Sequence, residues 1–298
     1  MHAVEVKNLV KTFGEVVAVN NLSFDVKQGE ILGLIGPNGA GKSTTIKILL
    51  DFMKPDTGEV RIFGKGMSES LKNRIGYLPE ERGLYKRLTA MQLIIYLASL
   101  KGQDKKTTLS KATELLQKTD MYENRDKKNK EMSKGMGQLI QFIVTVVHDP
   151  DLIILDEPFS GLDPVRTEAV QSIITDLRDK GKSIILCTHQ MNKVEELCDR
   201  VLMMHKGQTV LYGDVMETRA KFRRNSILVS VEGEIGELPG VVDKVLQNGS
   251  AELILAPDTS TQIILDQLRD QGVVINHFEV ITPHLRDIFL EKAGVEDE

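Results

Sequence analysis

The stretch Gly36-Pro37-Asn38-Gly39-Ala40-Gly41-Lys42-Ser43, followed by Thr44, limits this chain more than any other feature. It satisfies the pattern GxxxxGK[ST], and its flanks match. The continuous apolar run EILGLIG (30–36) reads as a strand buried on both faces, and KSTTIKILLDF has helical spacing that stops before Lys54-Pro55. A strand, a glycine-rich loop and a helix start in that order aim backbone N–H groups and the positive end of a helix dipole at a polyphosphate. Glycines are required because a Cβ would block close approach and the positive φ values of the loop. Lys42 is expected to reach the β and γ phosphates, and the Ser43 hydroxyl to ligate magnesium. The plain alternative is a glycine-rich turn with an exposed lysine, which leaves the flanking pattern unexplained.

A bound nucleotide needs a further magnesium contact and a group that activates water. Asp156 and Glu157 end the apolar run LIILDE. An acidic pair at the C-terminal end of a buried strand is costly without a cation or hydrogen bonds, and in open α/β sheets that edge binds ligands. Asp156 is therefore assigned to magnesium, through a water, and Glu157 to polarising the attacking water. A helix N-cap before Pro158 is the competing reading of the pair.

The rest of the chain supplies the surrounding fold. AVEVKNLV and NLSFDVKQ alternate around Phe13-Gly14-Glu15, the pattern of antiparallel strands. Between about 89 and 147 the apolar residues recur at helical intervals, which marks a mostly α block inserted into a sheet domain. DLIILDE (151–157) and KSIILCTH (182–189) are short apolar runs separated by the helical stretch PVRTEAVQSIITDLRDKG, as in a parallel α/β sheet. Strand-like RVLMMHKG and QTVLYG follow. Composition then turns polar and basic at 218–225, the expected linker between a domain over 1–217 and a small α+β domain over 226–298. In that second domain SILVSVEG, AELILAP and VVINHFEVI read as strands, and TSTQIILDQLRDQ and PHLRDIFLEKAG as helices.

Composition excludes several classes. With 38 Lys plus Arg against 43 Asp plus Glu the formal charge is −5, so nucleic-acid binding through bulk charge is not expected. No apolar run nears the length of a membrane span, so no transmembrane segment of its own is expected. The two cysteines, Cys187 and Cys198, lie in no CxxC or His/Cys cluster and fit a reducing compartment; each reads as a small buried hydrophobe, Cys198 within the helical run KVEELCDRV. The basic run Asn124 to Lys130 reads as a solvated loop.

Over about residues 3–217 these motifs resemble the nucleotide-binding subunit of an ABC transporter. In the family order come the phosphate loop, Gly76-Tyr77-Leu78-Pro79-Glu80 at the Q-loop, and Met132-Ser133-Lys134-Gly135-Met136 at the signature. Leu152 to Glu157 follow at Walker B, then Ser160-Gly161-Leu162-Asp163 at the D-loop and Thr188-His189 at the switch. The resemblance implies an α/β fold: a P-loop NTPase (RecA-like) core, an inserted helical subdomain over about 80–147 and an N-terminal antiparallel sheet. It implies ATP as nucleotide with Mg2+, Phe13 stacked on adenine, and His189 at the γ phosphate. It also implies that Ser133 and Gly135 bind the γ phosphate of an opposite subunit, with Asp163 among the nucleotide-site residues. A core phenylalanine and a structural histidine are the plainer readings of Phe13 and His189.

The pattern departs from the family twice. Glu80 stands where the Q-loop usually has glutamine, which keeps a metal ligand but adds negative charge. MSKGM replaces LSGGQ, keeping Ser133 and Gly135. GYLPEERGLY with an SKG-type signature resembles the ABC-2-type exporter ATPases, including the sodium- and drug-efflux group, and the C-terminal unit resembles their small accessory domain. The implied partners are a second ATPase subunit, expected as a homodimer, and an integral membrane permease. The implied location is cytoplasmic, peripheral on the inner face of the cell membrane. An ABC-type ATPase acting on ribosomes or DNA is the alternative of a different class. A single phosphate loop, no sustained heptads and no basic arm argue against it. The accessory domain reads either as a ligand-sensing module or as a docking or dimer-stabilising appendage.

Overall fold

The computed structural model describes residues 1–294 except 82, 84, 223, 224, 234, 248 and 249. The chain divides into two compact units whose main segments are Met1–Val215 and Met216–Glu291.

In the first unit the alternating segments form β1 (His2–Phe13) and β2 (Val16–Lys27), antiparallel across a turn at Gly14-Glu15. After β3 (Ile31–Ile35) and α1 (Lys42–Leu49) comes β4 (Thr57–Ile62), which completes a three-stranded sheet in the order β2-β1-β4. Sequence periodicity missed β4 because its burial pattern is almost wholly exposed, leaving no apolar alternation to read. Asp56, just before β4, accepts from the Lys11 ammonium at 2.6 Å and from the Thr12 N–H at 2.6 Å, which ties β4 to the end of β1 beside Phe13.

The second sheet continues through α2 (Glu69–Lys72) and β5 (Ile75–Leu78), the helices α3 (Ala90–Leu100), α4 (Lys105–Lys118) and α5 (Lys134–Val146), then β6 (Leu152–Asp156), α6 (Pro164–Asp179), β7 (Ser183–Cys187), α7 (Met191–Leu197), β8 (Arg200–His205) and β9 (Gln208–Asp214). Its order is β5-β6-β7-β3-β8-β9, parallel except for β8-β9. The runs ILGLI, LIILD and SIILC could only be strands covered on both faces, and every residue of β3, β6 and β7 is buried. The first helix of the inserted block, α3, begins at Ala90 with Thr89 as its cap. α5 is buried nearly throughout, with Phe142 among the largest fully buried side chains, so it anchors the insert on the core.

Two local expectations change. α7 stops at Leu197, leaving Cys198 as an extended, buried residue after the helix rather than within it. In the basic run, Asn129 is buried and donates from Nδ2 to the Tyr85 carbonyl at 3.0 Å, so that loop is partly structural.

The second unit contains most of α8 (Val215–Lys221), β10 (Ser226–Glu232), β11 (Val241–Gln247), β12 (Ser250–Leu255), α9 (Thr261–Asp270), β13 (Val274–Val280) and most of α10 (Leu285–Ala293). Residues 218–221, assigned to a linker on composition, are helical; 223 and 224 lie outside the described residues. The sheet order is β11-β12-β10-β13, antiparallel throughout. Ile227, Val229, Ala251, Leu253, Ile264 and Leu268 form its own hydrophobic core. β11 escaped the sequence reading because VVDKVLQ carries charges at its centre and sits at the sheet edge, where side chains stay exposed.

Candidate functional site

The parallel register decides where the chemistry collects. Asp156 pairs with Cys187, Leu34 with Cys187 on the other side, and Ile35 with Met203, so β3, β6 and β7 end together. The phosphate loop, the acidic pair and Thr188-His189 therefore emerge at one carboxyl edge of the sheet, where open α/β sheets bind ligands.

At that edge lies a cleft of about 880 Å³. It is lined by Phe13, by every loop residue from Pro37 to Thr44, and by Glu80, Asp156, Glu157 and His189. Gly36 sits beneath the loop: its φ is 152°, and a Cβ there would strike the Met204 carbonyl. Gly41, at φ 103°, opens α1 without any side-chain cap, so the first helical N–H groups face the cleft as an anion site. Lys42 is buried and donates to the carbonyls of Gly36 at 2.7 Å and Pro37 at 3.1 Å, which fixes its ammonium within the cradle.

The acidic tip is equally constrained. Glu157 adopts a left-handed backbone, φ 49°, and is buried, yet its carboxylate reaches the cleft. Oε1 accepts from the His189 backbone N–H at 2.9 Å and lies 2.7 Å from His189 Nδ1; Oε2 accepts from the Thr188 hydroxyl at 3.0 Å. Residues 157–162 form turns, and α6 starts at Pro164 with Asp163 as its cap, so the pair is not an N-cap. Asp156 is buried beside Cys187. Burial, together with the charges of Glu80 and Glu157 and against the Cys187 thiol hydrogen bond, raises its carboxyl above the usual range. Cys187 is thus more than a filler: its thiol donates to Asp156, and burial first, then Asp156, push its pKa up.

The oxygen donors Ser43, Glu80 and Asp156 share this cleft and suit a hard cation. Among the described residues no three His, Cys, Asp or Glu side chains lie close enough to hold a metal by themselves.

Three expected site residues stand elsewhere. Ser133 caps α5 by accepting from the Met136 N–H at 3.3 Å, and Asp163 caps α6 by accepting from the Arg166 N–H at 3.0 Å. Gly135 packs against Gly161, where a Cβ would come within 2.7 Å of the Gly161 carbonyl. None of the three lines the cleft. Gly135 and Gly161 bring the signature helix start and the D-loop together outside the lining of the cleft.

Some residues at the site escaped the sequence reading. Val16, Val17, Ala18 and Lys206 line the cleft from β2 and the β8–β9 turn. Buried Gln138 on α5 donates to the Glu157 carbonyl at 3.2 Å, joining the signature helix to the acidic tip. A glutamine within an apolar helical run was the signal for Gln138; no local pattern marks the others.

Comparison with known proteins agrees with this geometry. A family profile described as ABC transporter matches residues 19–160, and one described as ATP-binding protein DrrA1-3-like, C-terminal domain, matches 213–293. The chain is 36% identical over 292 residues to the uncharacterized ABC transporter ATP-binding protein YhaQ of Bacillus subtilis (strain 168), covering 97% of this chain and 98% of that one. It is 33% identical over 213 residues to the Nod factor export ATP-binding protein I of Burkholderia orbicola (strain AU 1054), covering 70% of each. A solved structure described as the ATP binding subunit of an ABC transporter superposes with TM-score 0.69 at 31% identity, over 74% of this chain and 93% of that one.

Proposed function

The chain belongs to the ABC transporter ATP-binding proteins, the ATPase subunits that hydrolyse ATP to power transport, and on that premise we propose that it energises an ABC-2-type exporter. The observation that carries the reading is the meeting of the phosphate cradle, Asp156 and the Glu157–His189 pair in one cleft, while Ser133 and Gly135 lie on a separate surface. A site that lacks its signature residues is completed by a second copy. Two chains then close head to tail over two ATP molecules.

The chain's own groups divide the work. The uncapped N-terminus of α1 and Lys42 bind the β and γ phosphates, and Phe13 stacks on the base. Ser43, Asp156 and Glu80 would hold a magnesium ion, which would supply charge neutralisation at the same phosphates. Glu157 accepts a hydrogen bond from the attacking water and takes up its proton as the bond to the γ phosphorus forms and the bond to the bridging oxygen of ADP breaks. Thr188 and His189 hold that carboxylate, and the opposite Ser133 and Gly135 meet the γ phosphate. Loss of the γ-phosphate contacts reopens the pair.

The DrrA-like C-terminal match and the likeness to a Nod factor exporter support export as the direction. No helix among the described residues is long and apolar enough to cross a membrane, so the pore comes from a separate permease. The complex sits on the cytoplasmic face of the cell membrane. The test is MgATP binding and hydrolysis by the purified chain, with Lys42→Ala as the inactive control, followed by identification of what co-purifies. A polytopic membrane protein supports the proposal; ribosomes or DNA in its place overturn it.

A further inference from the structure

Lys206 projects into the nucleotide cleft although about 160 residues separate it from the cradle. Its backbone is left-handed, φ 47°, a conformation that side-chain-bearing residues seldom adopt without a reason in the surroundings. The turn is pinned on both sides. The Gly207 N–H donates to the Ala40 carbonyl at 3.1 Å, and the Asn20 N–H donates to the Gly207 carbonyl at 2.8 Å. Lys206 therefore rides on the join between the β2 wall, Val16 to Ala18, and the phosphate loop. Its charge is also uncommitted. Lys11, near the same end, is neutralised by Asp56 at 2.6 Å, whereas Lys206 forms no ion pair among the described residues.

We propose that Lys206 is a nucleotide-binding residue whose ammonium meets the phosphate nearest the sugar. This rests on the ATP-binding reading above. With the base against Phe13 and the terminal phosphates at Lys42, the sugar and first phosphate pass the join that carries Lys206. A cation there favours di- and triphosphates alike over the uncharged nucleoside, and so sets basal nucleotide affinity apart from the γ-phosphate sensing at Lys42.

The test is calorimetric titration of the full chain with MgATP, MgADP and adenosine. Lys206→Met should weaken MgATP and MgADP binding by a similar factor, about three- to tenfold for one partly exposed charge contact, and leave adenosine unchanged. Lys206→Arg should retain affinity, and the deficit of Lys206→Met should shrink as salt is raised. Lys206→Gly, which suits the left-handed backbone, should lose as much as Lys206→Met, separating the charge from the turn. Parent-like binding of both nucleotides by Lys206→Met overturns the inference alone, and a loss confined to ATP overturns its placement at the first phosphate. A parent chain that binds no MgATP removes the inference and the ATP-binding reading together.

Discussion

His189 Nδ1 lies 2.7 Å from Glu157 Oε1, and the same oxygen accepts the His189 backbone N–H, so one residue grips the acidic tip through both ring and main chain. Facing a carboxylate, which only accepts, Nδ1 is the donor of that contact. Glu157→Gln should bind MgATP and form the dimer yet hydrolyse at least about 100-fold more slowly, the loss typical of a positioned base. His189→Ala should also lose hydrolysis, with nucleotide affinity reduced much less. Steady-state phosphate release with size-exclusion analysis in MgATP checks both; undiminished turnover by Glu157→Gln removes its assignment.

Asp156 is held at a raised pKa, chiefly by burial. A carboxyl whose folded value exceeds its unfolded 3.8 favours the protonated folded chain. Its destabilising effect is absent at acid pH and grows as pH rises through that window. In metal-free buffer Asp156→Asn should therefore melt higher than the parent at pH 7, the gap closing as pH is lowered through the carboxylate range. The same variant should lose most of the thermal stabilisation that MgATP gives the parent. Differential scanning calorimetry in EDTA and in MgATP reads both effects.

Phe13 is 47% exposed at the cleft, which removes the reading of a core aromatic. Its ring depends on the tether from Asp56 to Thr12 for position. Phe13→Ala should weaken MgATP binding by about tenfold, the scale of one base–aromatic stack, while Phe13→Tyr keeps it. Equal affinities of Phe13→Ala and the parent would show that the base lies elsewhere.

Gly135→Ala sets helix propensity, which gains up to about 1 kcal/mol, against a Cβ within 2.7 Å of the Gly161 carbonyl. Backbone cannot yield as a flexible side chain can, so the signature start and D-loop must separate. Monomeric nucleotide binding should survive, whereas ATP-driven dimerisation and hydrolysis should fall together. A variant that dimerises normally in a hydrolysis-deficient Glu157→Gln background contradicts this.

His148 is buried with Nε2 at 3.3 Å from the Ile75 carbonyl, and burial, then Lys101, lower its pKa below 6.5. A depressed imidazole stabilises the folded chain above its unfolded value, and that stability is lost as pH falls through the window below 6.5. Urea midpoints should thus decline from pH 7 to 5, and His148→Gln should flatten the decline. The same slope in parent and variant would place the acid sensitivity at another group.

Much of the fold was legible because its signals are local. The runs ILGLI, LIILD and SIILC lack the polar–apolar alternation that a half-exposed strand would show, so they announced a covered parallel sheet. Strands with little burial, β4 and β11, left no such mark, and residues 218–221 read as linker although they extend a helix. The resemblance assigned Ser133 and Gly135 to the site of an opposite subunit, and within one chain both, like Asp163, cap or brace helices outside the cleft.

The chain by itself determined the chemistry: a glycine loop that admits phosphate, a lysine and hydroxyl beside it, and carboxylates at a strand end. Those choices are written in residue type and spacing, which depend on neighbours within a few positions. Tertiary structure decided which distant residues share that chemistry. Only the common ending of β3, β6 and β7 brings Glu157 to His189, and only the pinning of Gly207 to Ala40 delivers Lys206 to the cradle. Register and turn docking are set by packing between segments far apart in the chain, and no local periodicity encodes them.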